Sequence, residues 1–186
     1  MNHLVIIGSA SCASEDLASL DRFRVNTPGP GSAHGELVEP WDFMLIGLDA
    51  VDKFPGEVKY FVTYHVEDIP ESINRRKALG GNCDFKIISH ETKPGVDIVH
   101  PHEAPSGSSA LMGVLAGIKL GYQRMILAGC PLTGKNPKGG SYDNFQKGWQ
   151  AHLDQYAGKV RSMSGWTKEF LGSPTEEWLS NGNADH

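Results

Sequence analysis

Leu4-Val5-Ile6-Ile7 is an uninterrupted apolar run that stops at Gly8. A strand that shows one covered face alternates apolar and polar residues, so an unbroken run implies cover on both faces, the condition of a buried parallel sheet. Residues 43–48, 58–64, 85–89 and 125–128 repeat the figure, and 159–163 reads as a last strand. Helical stretches lie between some of these runs. Ser14-Glu15-Asp16 opens a short helix, with Ser14 as N-cap and acidic residues in the first turn. Residues 106–120 are apolar on every face and end at Gly121. Residues 143–156 have an amphipathic pattern, and 167–171 and 174–179 read as short helices. The Gly/Pro-rich stretch 27–35 reads as a loop. Strands alternating with helices predict an α/β, Rossmann-like fold: a mostly parallel sheet flanked by helices in a three-layer sandwich.

The 186 residues, 39% hydrophobic and 21% charged, fit one domain over 1–180 with a frayed tail at 181–186. A formal charge of −5 argues against sequence-specific or non-specific nucleic-acid binding, which needs a dense Lys/Arg surface. No run approaches the roughly 20 apolar residues that cross a bilayer, so no membrane partner is expected. Met1-Asn2-His3 leads directly into the first strand and has no basic leader region. Cys12, Cys83 and Cys130 form no CxxC pair, which excludes a disulfide scaffold and fits a reducing cytoplasm. A homo-oligomer is compatible with such a chain.

Ligands of parallel sheets bind beyond the carboxyl ends of strands, and several small or polar segments fall there. Gly8-Ser9-Ala10-Ser11 follows the first strand and either makes a tight turn or lets backbone approach a phosphate. It matches neither GxGxxG nor GxxxxGK. Pro105-Ser106-Gly107-Ser108-Ser109 opens the apolar helix; capping explains one serine, and the remaining small positions suit an anion at the helix start. Asn26, in Phe23-Arg24-Val25-Asn26, reads either as a strand-end amide facing a sugar or base, or as a turn former. His65 is a candidate base or positioning group. His90, His100 and His102 have no ligand spacing that defines a metal site, and none is expected. Trp166, beside Gly165 and two serines, is a candidate stacking ring. No GxSxG elbow or activated cysteine is present.

Pro105-Ser106-Gly107, an apolar helix, Leu120-Gly121-Tyr122 and then Met125-Ile126-Leu127-Ala128-Gly129 resemble a block of bacterial sialyltransferases that use CMP-sialic acid. Related hydroxymethylpterin diphosphokinases and flagellin glycosyltransferases carry a similar block, and short proteins of this look are common in bacteriophage genomes. Gly8-Ser9-Ala10-Ser11 stands where that family has a Gly-rich turn, and Phe23-Arg24-Val25-Asn26 resembles its Phe-Arg-x-Asn strand end. The resemblance implies a Rossmann-like sheet that binds a nucleotide without a metal or further cofactor. Asn26 and Ser106 would touch the nucleotide, with Gly107 and Ser108 beside them. Gly8, Ser9 and Ser11 would lie near its phosphate, and Tyr142 near the donor phosphate. The chain departs from the pattern where Cys130-Pro131 replaces an acidic residue after Gly129. The family's His-Ser pair is also missing, leaving only His152, mid-helix in the predicted 143–156 element.

The resulting expectation is a cytoplasmic nucleotide or nucleotide-sugar binding protein, acting as a metal-independent glycosyltransferase with His65 or His152 as base. Two alternatives stay open. One is a phage-type protein that sequesters a nucleotide signal without turnover. The other is a phosphoryl or diphosphoryl transferase holding magnesium on Asp49, Asp52 and Asp97.

Overall fold

A computed structural model describes residues 3–25, 41–101, 107–136 and 139–180. Seven strands, β1 (His3–Ile7), β2 (Asp42–Ile46), β3 (Tyr60–Val62), β4 (Lys86–Ser89), β5 (Ile98–Val99), β6 (Arg124–Ala128) and β7 (Val160–Ser162), form one sheet in the order β5-β4-β3-β2-β1-β6-β7. Every neighbouring pair is parallel. The chain steps outward from β1 to β5 and then returns to lay β6 against the other side of β1, so strand order reverses between β1 and β6.

Side chains alternate across the sheet and separate two cores. Leu4, Ile6, Met44, Met125 and Leu127 face one layer, while Val5, Ile7, Leu45, Ile126 and Ala128 face the other. The first layer carries α3 (Ser109–Lys119), α4 (Asp143–Ala151) and α5 (Leu153–Tyr156); the second carries α1 (Ala13–Val25) and α2 (Ile69–Ala78). Helices α6 (Gly165–Leu171) and α7 (Glu176–Ser180) close the β7 end. The predicted three-layer parallel architecture is therefore present. In α3, eight consecutive residues from Ala110 to Gly117 are buried. Gly113 and Gly117, one turn apart, let it settle on the sheet: a Cβ on Gly117 would stand 2.6 Å from the Met125 sulfur and 3.1 Å from Leu4 Cδ2.

Several local expectations are corrected. Residues Phe23 to Val25 end a 13-residue α1 and are not a strand end, and Ser14 lies inside that helix instead of capping it. Asn26 and Ser106, like the tail 181–186, lie outside the described residues. The apolar helix begins at Ser109, capped by Ser108. The single helix predicted over 143–156 is two, broken at His152, so His152 sits at a joint and not mid-helix. Neither α2 nor the two-residue edge strand β5 was expected. Helix α2 buries Ser72 and Arg76 beside Ile69, so its inward face has no apolar period to read.

Arg76 holds that region together. Fully buried, it donates to the carbonyls of Phe54 and of Gly56 (2.6 Å) and to the Asn82 side chain (3.3 Å). Burial lowers its pKa below the ordinary guanidinium value. Asn82 in turn pairs with both backbone groups of Val58. Arg76→Lys cannot present the planar fork. It is expected to reduce unfolding free energy by about 2 kcal/mol, measured by urea denaturation.

Candidate functional site at the carboxyl edge of the sheet

The crevice where strand order reverses, between the carboxyl ends of β1 and β6, is the expected ligand position in such a sheet. Two turns meet there at backbone distance. Gly8 N–H donates to Ala128 O at 2.8 Å, and Ala10 N–H to Gly129 O at 3.2 Å. A Cβ on Gly8 would overlap the Gly129 carbonyl, and one on Gly129, whose φ is +65°, would stand 2.6 Å from Ala13 Cβ. Both positions need glycine because backbone packs on backbone.

A buried carboxylate ties the turns together. Asp16, 6% exposed, accepts from Gly129 N–H and from the Ser164 hydroxyl, both at 2.8 Å. Ser164 belongs to the turn after β7, so one side chain of α1 joins the exits of β6 and β7. With the Ser164 proton directed at Asp16, the Cys12 thiol 3.3 Å away is the donor to Ser164 Oγ. Burial raises the Cys12 pKa above its ordinary value, and the Asp16 charge raises it further. Thr167, fully buried, donates to Cys130 O at 2.8 Å and adds a second tie between the same exits. Burial pushes the Cys130 thiol up to about 12. Both thiols are thereby held in the protonated, unreactive form.

Beside this junction lies a cleft of about 290 Å3, walled by Leu132, Thr133 and Gly134 after β6, by Ser141, Tyr142, Asp143 and Gln146 at the start of α4, and by Trp166 and Glu169 of α6. Leu132 is the one non-glycine residue with positive φ (+46°) among the described residues, and its carbonyl accepts from the Gln146 amide at 3.0 Å. Gly165, at φ +63°, brings α6 against Pro131, and Trp166 N–H donates to Thr133 Oγ1 at 2.9 Å. The Trp166 ring stacks on Phe170, centroids 4.8 Å apart. Burial raises the Tyr142 pKa, and Cys130 adds to the effect; the ring packs beside Phe145, centroids 5.8 Å apart.

The structure gathers some of the predicted residues and scatters others. Gly8, Ser9 and Ser11 form the β1 exit, where both serines are exposed. Tyr142 and Trp166 share the cleft. Gly107 faces Phe145 of α4, 3.9 Å from the nearest ring atom to a Cβ placed there. The Ser108 hydroxyl, buried, accepts from Leu111 N–H (3.3 Å) and Trp149 Nε1–H (3.4 Å), so it is engaged within the fold. His65, exposed and 3.2 Å from Glu67, follows β3, three strand spacings or about 14 Å from β6. His152 is buried and donates from Nδ1 to Gly148 O at 2.8 Å. It stands at the far end of α4 from Tyr142, about 14 Å along the helix axis.

Asp49 and Asp52 pair with Arg75, whereas Asp97 pairs with Lys86 and accepts from Ile87 N–H, so the three carboxylates are not one magnesium site. No group of three metal-ligating side chains occurs among the described residues. No helix among them is long and apolar enough to cross a membrane. A larger concavity, about 390 Å3, lies on the α1 face, where Ser14, Asp21 and Lys53 sit among Leu17, Leu20, Trp41, Phe43 and Phe54. The signals that sequence reading missed were Asp16, taken only as a helix-start acid, and Thr133, Gln146 and Glu169, which converge through tertiary contacts alone.

This architecture is a sialyltransferase-like α/β fold. The structure is similar to that of the sialyltransferase CstII from Campylobacter jejuni in complex with the substrate analogue CMP-3FNeuAc, with a TM-score of 0.54 and 12% identity over 94% of this chain and 89% of that one. It is similar also to CstII in complex with cytidine-5'-monophosphate, with a TM-score of 0.57 and 12% identity over 93% and 85%. No protein-family model and no curated protein matches the sequence.

The Asp16 tie makes a directional prediction. In Asp16→Asn the charge that opposes the Cys12 thiolate is gone, so the Cys12 pKa falls. The midpoint of its iodoacetamide alkylation, followed against pH by peptide mass spectrometry, is expected to move to lower pH. An unchanged or higher midpoint contradicts the arrangement.

Proposed function

We propose that the chain binds a nucleotide sugar at the carboxyl edge and is a glycosyltransferase-like protein. The observation that carries this reading is the meeting of the Gly8 and Gly129 turns at the point of strand reversal, within a fold shared with a sialyltransferase solved with cytidine nucleotides. In this reading the exposed Ser9 and Ser11 and the first turn of α1 receive the phosphate. Gly107 leaves space at the start of α3, where Ser108 shapes the helix cap. Tyr142, at the start of α4, is assigned to the departing phosphate on the sequence resemblance alone, and Trp166 in the cleft offers a ring to a bound sugar. Asn26 and Ser106 enter on the sequence resemblance alone. Neither His65, which follows β3, nor His152 lines the cleft beside β6, so this reading assigns no general base.

A second reading, nucleotide sequestration without turnover, draws support from the same histidines. The His152 ring is held by Gly148 at the far end of α4, and His65 lies strands away from β6. The two readings separate on the fate of the ligand. A transferase hydrolyses its sugar nucleotide slowly in the absence of acceptor, while a sequestering protein returns it intact.

Calorimetric titration with CMP, UMP, ADP and their sugar conjugates tests binding. Ser11→Trp is expected to weaken the best ligand at least tenfold with the melting temperature unchanged, because the residue is exposed. If no member of the panel binds, the proposal is overturned.

A further inference from the structure

The cleft beside β6 is poorly made for a phosphate. Its nine lining residues include Asp143 and Glu169 and, among the described residues, no lysine or arginine. Neither carboxylate has an ion-pair partner among the described residues. Asp143 has an ordinary explanation as an acid in the first turn of α4. Glu169 is an exposed residue of α6 and shares the cleft with Asp143 because Gly165 and the Trp166–Thr133 bond dock α6 against the β6 exit. Two like charges set in one concave wall reinforce each other's field and attract a cation.

The other lining groups suit a carbohydrate. Trp166, braced by Phe170, presents an aromatic surface, and an aromatic ring attracts both sugar C–H groups and an ammonium. Thr133, Ser141 and Gln146 supply two hydroxyls and an amide at the same rim. A volume of about 290 Å3 matches one ring-sized group at the lower end of ligand pockets.

We propose that this cleft is the acceptor subsite and takes an amine-bearing sugar, held as its ammonium between Asp143 and Glu169 with its ring on Trp166. The inference rests on the nucleotide-sugar reading for the word acceptor, but the preference for a cationic sugar stands on the cleft itself. Anionic acceptors are disfavoured there, since a carboxylate would meet two carboxylates and, among the described lining residues, no lysine or arginine.

The test compares the glucosamine trimer with its N-acetylated counterpart and with sialyllactose, by calorimetry at pH 6 in low salt. The glucosamine trimer is expected to bind at least tenfold more tightly than the N-acetylated trimer, with no binding of sialyllactose. Asp143→Asn combined with Glu169→Gln is expected to erase the preference while the melting temperature stays within a few degrees, both side chains being exposed. Trp166→Ala is expected to weaken both trimers alike. Equal or tighter binding of the N-acetylated trimer overturns the proposal, as does a preference that survives the double substitution. So does absence of trimer binding in protein that still binds a nucleotide. Trimer preference in protein that binds no nucleotide overturns instead the reading of the site as a transferase.

Discussion

The Asp16 carboxylate is almost removed from solvent and is compensated by a backbone amide of one strand exit and a hydroxyl of another. A charge in that position must be hydrogen-bonded, or the fold bears the full penalty of its desolvation. The two donors it recruits are what a parallel sheet otherwise leaves undetermined. The strands fix one another by their ladders, but each exit is a loop that could take several paths. Asp16 selects one path for β6 and β7 together. The Gly8–Gly129 approach then fixes β1 against β6 at a spacing that no side chain could enter. The shape of the crevice follows from these contacts, and the cleft walls beyond it from Gly165 and Thr133, which extend the same arrangement outward.

The opposite edge of the sheet is organised by side chains and not by small-residue turns. At the amino ends, Tyr122 donates to Asp42, Lys59 pairs with the same carboxylate at 2.7 Å, and Tyr60 closes the group edge-on against the Tyr122 ring. Burial and the bond to Asp42 raise the Tyr122 pKa, so the phenol remains a donor. Further along, Arg124 and Arg161 both lie over Trp178, whose indole N–H meets Gly158 O. These groups satisfy one another, and the larger concavity on the α1 face, walled by Trp41, Phe43 and Phe54, lies outside them. The carboxyl edge is built from turns of small residues, which satisfy their backbone groups locally and leave space beside them.

What was legible in the sequence follows from what was repeated in it. Buried parallel strands announce themselves as continuous apolar runs, and β1, β2, β3, β4 and β6 were visible for that reason, with β7 falling inside the strand read over 159–163. Helix α3 was visible because burial on every side leaves no polar residue between Ala110 and Gly117. Helix α2 was not, because its inward positions are Ser72 and Arg76, and an arginine that reaches three carbonyls looks like a surface residue until those carbonyls are placed. The break at His152 was hidden for a similar reason. The apolar period runs through both halves, while the break comes from His152 leaving helical geometry and bonding back to Gly148. At the site, Tyr142, Trp166 and the Gly8 turn could be named, since aromatic and glycine residues beside strand exits are local signals. Glu169 and Gln146 could not, because their meeting depends on how α4 and α6 dock.

The Gly129 exit is the most instructive of these cases. The residues that follow it, Cys130-Pro131, supply no acid of their own. In space a carboxylate is present at that strand exit, delivered by Asp16 from α1 to the Gly129 amide. A charge supplied from a buried helix turn is oriented inward, with Gly129 and Ser164 as its partners, so it organises backbone and does not present itself to a ligand. The polar groups that remain open at this edge include Ser9 and Ser11 and those of the cleft, where Asp143 and Glu169 have no ion-pair partner among the described residues. Two duties are thus carried by different carboxylates in this chain: Asp16 holds the strand exits in register, and Asp143 and Glu169 set the charge of the cleft. The fold tolerates that separation because the tie needs only an acceptor of the right reach, whichever element provides it.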